Sequence, residues 1–284
     1  LSQNLIQQAT SFLLDALKEN RPDQGALQTR LLEINLVNAP QVADAILGNN
    51  MFSYYDRPRI ANLAEKAGLM QRALEHYEDL ADIKRVVVHS NLFNTEWLVE
   101  YFGRLTVDQS LAALYEMLKS NMRQNLGVVV QIATRYSELL GAPRLIEMFE
   151  SFRSFEGLYY YLGSVVNLSS DPEVHFKYIQ AATRTGQVRE VERICRESNY
   201  YNPEKVKNFL KEVKLPDQLP LIIVCDRFNY VHDLVLYLYQ NMLINFIEVY
   251  VQRVNSTRTP QVIGGLLDVD CDEGVIKNLS LIHI

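Results

Sequence analysis

The sequence is poor in the residues that turn a chain sharply. Its 284 residues include 12 glycines and 9 prolines, too few for the frequent tight turns of an all-β protein. Strict alternation of apolar and polar residues, the mark of a half-buried strand, is missing as well. Cysteine is scarce. Cys195, Cys225 and Cys271 form no CxxC pair, and an odd, sparse set fits a reducing compartment. No apolar run approaches the ~18 residues that span a bilayer. The longest candidates, "LPLIIVC" (219–225) and "LVLYLY" (234–239), are short and have charged residues between them. Nothing resembles a signal peptide, so the three Asn-x-Ser/Thr matches at Asn167, Asn255 and Asn278 read as chance in a cytosolic chain. The formal net charge of −6 argues against nucleic acid or anionic lipid as partner of the whole surface. The first residue, Leu1, already belongs to a helical pattern, which suggests a piece of something longer.

What is present is an ordinary globular balance: 48% apolar and 22% charged residues, enough to bury a core. Prolines punctuate it. Pro40, Pro58, Pro143, Pro172 and Pro203 each stand just before an apolar-periodic run. Proline suits the first helical turn because the amide that it lacks would have no intrahelical partner there. Asp171 and Asn202 precede two of these prolines and are the expected N-caps. Thr106 and Gln109 have the spacing of a capping box. Val206, Phe209, Leu210 and Val213 follow the i, i+3, i+4, i+7 rule of a one-faced helix. The chain therefore reads as nearly all α.

The turns themselves share a register. Gly68, Gly186 and Asn229 are residue types that tolerate a left-handed backbone. Four positions before them stand the small residues Ala64, Ala182 and Cys225. Apolar residues then follow at matched offsets: Met70, Val188 and Val231; Ala73, Val191 and Leu234; Tyr77, Cys195 and Leu238. The pattern predicts recurring helix hairpins, each closed by a left-handed turn, with the small residue letting the two helices approach. Units of that kind cannot bury their apolar faces alone and stack on their neighbours. At about 30 residues per pair, the chain has room for roughly nine or ten pairs.

The residues also resemble a known family, the clathrin heavy chain, in its leg. The stretches that carry the resemblance include "NAPQVADAILGNNMF" (38–52), "RALEHYEDLADIKRVVVHSNLFNTEWLVEYFGRL" (72–105), "SFEGLYYYLGSVVNLSSDPEVHFKYIQAA" (154–182), "VERICRESNYYNPEKVKNFLKEVKLPDQLPLIIVCDRFNYVHDLVLYLY" (191–239) and "VIGGLLDVDCDEGVIKNL" (262–279). Only the end, "SLIHI" (280–284), leaves the family pattern. The resemblance implies a right-handed α-solenoid of stacked antiparallel helix hairpins. It implies two consecutive repeats, an ankle-like one over 1–142 and the start of the distal leg over 143–284, with a junction near Gly141 and Pro143. It implies a structural, non-enzymatic strut that self-assembles with other heavy-chain legs into the polyhedral lattice of coated pits and vesicles. The place would be the cytosolic face of those membranes, in endocytosis and intracellular transport, with no insertion into the bilayer. Contact of the ankle with the uncoating co-chaperone auxilin is implied too, whereas light chains and adaptors bind other parts of the full chain. The alternative function is a helical-repeat adaptor or vesicle-tethering subunit that takes short peptides in a concave groove.

No residue is assigned a catalytic, cofactor-binding or metal-ligating role. GxGxxG, P-loop and HExxH motifs are absent, and the histidines have no ligand spacing. Asp268, Asp270 and Asp272 imitate the start of a calcium loop, but Glu273 occupies the required glycine position and Leu279 that of the bidentate glutamate. Cys225, His232 and Asp233 can be written as nucleophile, base and orienter, yet they fall across a tight hairpin; a buried cysteine and an interface histidine are the expectation. Tyrosines in "FSYYD" (52–56), "YYYLG" (159–163) and "NYYNP" (199–203) are expected to pack mostly inside, with at least one ring of the triple outside. The mildly basic stretches 57–66 and 122–127, and protonation of His89 or His232, are expected to tune contacts between legs.

Overall fold

A computed structural model describes residues 2–281, so the last three residues of the divergent end lie outside the described residues. Every regular element among the described residues is helical, with nineteen α-helices and no strand. Two compact units divide at Met148 and Phe149.

The first unit holds α1 (Gln3–Ala16), α2 (Gly25–Asn38), α3 (Pro40–Gly48), α4 (Arg57–Lys66), α5 (Met70–His76), α6 (Leu80–Val87), α7 (Thr95–Phe102), α8 (Val107–Arg135) and the single turn α9 (Ser137–Leu140). α10 (Ala142–Ser151) runs across the division. In the second unit follow α11 (Phe155–Val165), α12 (Pro172–Arg184), α13 (Val188–Glu197), α14 (Pro203–Val213), α15 (Leu219–Arg227), α16 (Val231–Gln240) and α17 (Ile244–Val249). α17 continues into a π turn, Tyr250–Val254, before α18 (Thr259–Asp268) and α19 (Glu273–Leu281).

The expected starts are in place. Pro40, Pro172 and Pro203 open α3, α12 and α14, and Pro58 and Pro143 stand second in α4 and α10. The side chains of Asp171 and Asn202 accept the amides of Glu173 and Lys205, and Thr106 with Gln109 closes a reciprocal capping box. One break was not legible. Asn121 leaves helical geometry inside α8, at φ −156° and ψ 87°. Its side chain accepts the amide of Gln124 at 3.1 Å and so caps the second half of the helix.

All three expected turn residues are left-handed, with φ +81° at Gly68, +75° at Gly186 and +61° at Asn229. Each stands two residues beyond its helix, and the next helix begins two residues later. The residue after the turn donates its amide to the carbonyl five positions back: Leu69 to Ala64 at 2.9 Å, Gln187 to Ala182 at 2.8 Å and Tyr230 to Cys225 at 2.7 Å. The turn residue's own amide reaches the next carbonyl along, as from Gly68 to Glu65 at 3.0 Å. These paired bonds satisfy carbonyls that a helix end otherwise leaves without donors.

The same pair of bonds recurs outside the expected register, at Asn50, Arg153, Met242 and Asp270, all with positive φ; of these, Arg153 and Met242 are types that gave no warning. Their acceptors five positions before the donor are Ile46, Phe149, Leu238 and Leu266. Small size is therefore not the shared property of that position. Burial is: Ile46, Ala64, Phe149, Ala182, Cys225, Leu238 and Leu266 are all inside the core. The reading from close helix approach applies to three of the seven turns only.

Packing stays local. Within each unit the main helix contacts join chain neighbours, as in α4 with α5 and α11 with α12, or next neighbours, as in α2 with α4 and α13 with α15. Stacks built this way share one continuous core between successive pairs. Buried polar side chains tie successive layers. Asn125 in the second half of α8 donates to the carbonyls of Val88 at 3.0 Å and Met117 at 2.8 Å and accepts from Ser90. Thr10 and Asn35 join α1 to α2.

Gly186→Ala tests the turn in isolation. A Cβ there meets nothing within 4 Å, so its cost is conformational alone. We expect a loss of about 1 kcal/mol in urea denaturation. Met242→Gly should gain about 0.5 kcal/mol, because the methionine is held at φ +61° with 82% of its surface exposed and gives up little packing.

Candidate functional site

The sequence triad is not assembled. Cys225 is fully buried, and burial pushes its thiol up to about 12. Asp233 is held by Lys207 at 2.7 Å and by Lys211, while exposed His232 faces Asp268 at 3.9 Å. Cys195 is likewise pushed to about 12 by burial, and Cys271 is raised. Thiols in that state are poor nucleophiles at neutral pH.

The three aspartates of the calcium-like stretch have separate tasks. Asp268 faces His232, Asp270 is a left-handed turn residue, and Asp272 accepts the Gly274 amide at 3.2 Å at the start of α19. The basic stretch 57–66 is partly neutralised within the chain, since Arg59 pairs with Glu33 of α2.

Each tyrosine cluster sends one ring outward. Tyr161 is fully buried and Tyr160 exposed; Tyr201 is buried and Tyr200 exposed; Phe52 is buried and Tyr54 exposed. The inner rings hold layers together, as where the Tyr201 hydroxyl donates to the Cys195 carbonyl.

His76, on α5, has its proton affinity changed by the fold. Burial lowers its pKa. Its Nδ1 bonds the Arg72 carbonyl at 2.6 Å and its Nε2 the Tyr55 hydroxyl at 2.5 Å.

One surface feature had no sequence signal. A cleft of about 570 Å³ lies in the second unit between α13, α15 and the α17–π segment. Leu219, Phe246, Val249 and Val254 line it with half-buried apolar surface, and Arg196, Arg227 and Arg253 supply its cations. Arg227 donates to the carbonyls of Cys195 and Ser198, at 2.7 and 2.8 Å, and to Asn199 Oδ1 at 2.9 Å. All of these acceptors are neutral, and the guanidinium lies over the rings of Phe228 and Tyr201, at 5.1 and 5.9 Å from their centroids. Among the described residues Arg253 has no polar partner, whereas Arg196 is paired with Glu192. The two lining aspartates differ: Asp226 is paired with an arginine, Arg258, whereas Asp217 is bonded only by a backbone amide. Asp226 accepts from Tyr250 Oη at 2.7 Å, Asn255 Nδ2 at 3.0 Å and Arg258 Nε at 3.3 Å, and Asp217 caps α15 through the Leu219 amide.

Comparison with known proteins places the whole chain. A family model described as "Region in Clathrin and VPS" matches residues 1–126 and 133–273. The chain belongs to the clathrin heavy chain family. It is 68% identical over 281 residues to clathrin heavy chain 2 of Homo sapiens, covering 99% of this chain and 17% of that protein. Against the clathrin heavy chain of Drosophila melanogaster it is 67% identical over 282 residues, again 99% of this chain and 17% of the relative. The probable clathrin heavy chain of Schizosaccharomyces pombe is 67% identical over 281 residues, with the same coverage. The chain thus spans about a sixth of the length of these clathrin relatives. No helix among the described residues is long and apolar enough to cross a membrane.

A pH prediction follows from His76. The folded chain resists protonating this imidazole below its ordinary pKa of 6.5, and the unfolded chain does not. Stability is therefore full above that pH and falls as the pH drops through it. Urea midpoints measured at about pH 7 and about pH 5.5 should separate, and His76→Gln should narrow the gap. An equal gap in both proteins would contradict the assignment.

Proposed function

We propose that the chain is a leg strut of a clathrin coat, assembling with other heavy-chain legs into the polyhedral lattice of coated pits and vesicles. The work is done at the cytosolic face, in endocytosis and intracellular transport. The observation that carries this reading is local packing: helices lean on their neighbours and next neighbours in the chain, and seven helix ends are closed by a left-handed turn. Bending of such a stack is spread over many small interface shifts, with no single hinge. A strut of that kind adopts slightly different curvatures without losing its core.

The repeats are assigned to 1–142, ankle-like, and 143–284, the start of the distal leg. Support comes from the two separate stretches of the family match and from Gly141, at φ +88°, between α9 and α10. Partners are other legs and, at the ankle, auxilin; light chains and adaptors belong to other parts of the full chain. The role is structural and not enzymatic, in keeping with thiols that are buried and raised.

A chimera tests the reading. The chain replaces its counterpart in the full-length Drosophila melanogaster relative, to which it is 67% identical. Sedimentation and electron microscopy should then show cages as in the parent. A second chimera with a flexible Gly/Ser linker in place of residues 143–284 should form none. Cages in the linker version, or none in the first chimera, would contradict the strut.

A further inference from the structure

We propose that Ser256, in the connection between the α17–π segment and α18, is a phosphorylation site for a basophilic Ser/Thr protein kinase. This adds a switchable charge to the structural role proposed above and does not depend on it.

The spacing of charge singles the residue out. A basophilic kinase takes its substrate as an extended strand and reads a cation three residues before the acceptor hydroxyl. Among all the arginines of the chain, only Arg253 has a serine or threonine at that distance, and it is Ser256.

Both ends of the motif are presented. Arg253 and Ser256 are exposed. Among the described residues Arg253 has no polar partner, so a kinase carboxylate displaces no ion pair when it binds there. The Ser256 hydroxyl also has no hydrogen-bond partner among the described residues. The neighbouring hydroxyls are engaged. That of Thr257 donates to Asn255 Oδ1 at 2.5 Å, and that of buried Thr259 donates to the Ser256 carbonyl at 2.8 Å.

The backbone of this connection opens locally. Asn255 is already extended, at φ −153° and ψ 95°, and Ser256–Arg258 is a single 3-10 turn. Opening breaks the bonds of Asn255 to Thr257, to Asp226 and to the Tyr250 carbonyl. No residue from Gln252 to Arg258 is buried, so little apolar surface is uncovered.

In the transfer, the Ser256 hydroxyl oxygen bonds to the γ-phosphorus of ATP. The bond from that phosphorus to the β-bridging oxygen breaks, ADP leaves, and the hydroxyl proton passes to the catalytic aspartate of the kinase. The product carries about two negative charges. They arrive just ahead of α18, a helix with no acid in its first turn and no side-chain cap at Arg258. Asp226, the acid bonded to this connection, is already paired with Arg258 at 3.3 Å. The phosphate therefore supports the start of α18 and offers Arg253 a partner within the chain.

The test is incubation of the chain with magnesium-ATP and an activated calmodulin-dependent protein kinase, a reader of Arg-x-x-Ser, followed by tandem mass spectrometry. One phosphoryl group per chain is expected, on Ser256. Ser256→Ala should take up none, and Arg253→Ala should lower kcat/KM about tenfold, with melting curves showing that both variants stay folded. A peptide of residues 249–261 gives the rate at full access. The phosphorylated chain should need more urea to unfold than the unmodified one. The proposal falls if the native chain stays unlabelled, whether or not the peptide reacts, or if the phosphate sits on another residue. It falls also if Arg253→Ala reacts as fast as the parent, or if phosphorylation leaves the urea midpoint unchanged or lowers it.

Discussion

Carbonyl groups at the C-terminal end of a buried helix need donors, and in a stack of short helices such ends come often. This chain supplies the donors from the turn itself. A residue in the left-handed conformation swings the following amide back over the helix end, so that two carbonyls are satisfied at once. The next helix then starts within two residues in five of the seven cases, at α5, α11, α13, α16 and α17. Without that turn, either the carbonyls stay unpaired in the core or the connection lengthens and the apolar faces no longer meet. Everything else in each unit, from the buried seam to the polar ties between layers, presupposes it.

Because the main contacts are with neighbours and next neighbours in the chain, stability is built up layer by layer. Side chains with polar atoms fix which layers meet. Asn125 is wholly buried and bonded at both ends of its amide, and Arg227 reaches from α15 to the end of α13. Such ties give the stack direction and spacing, where apolar packing by itself is permissive. The thiols, buried in the same seams, act as small apolar groups.

The turns that a reader of the sequence can find are those where the residue type announces the conformation: Gly68, Gly186 and Asn229. Met242 and Arg153 carry the same bonds but look like ordinary helix residues, so only the fold reveals them. Caps and proline starts were legible because they act within four residues. The Asn121 break has a weak local signal, an N-cap residue with Gln124 three places on, which strong helix formers on both sides hide. The Arg227 and Arg253 cleft is drawn from α13, α15 and the segment after α17, and spacing along the chain gives no hint that these meet. The tyrosine clusters were half legible. For the triple at 159–161, inside α11, consecutive rings must point to different sides; the clusters at 52–56 and 199–203 lie mostly in connections, where the fold decides which ring faces out. Family resemblance carried the proposed function further than any motif did.

Amide hydrogen exchange at the residue after each turn tests the central claim most directly. If these turns close the helix ends as described, the amides of Leu69, Gln187, Tyr230 and Leu243 exchange slowly, like those inside the helices, despite lying in connections. Exchange at the rate of an unstructured peptide at these four positions would show that the helix ends are open, and the account of the stack would fail with them.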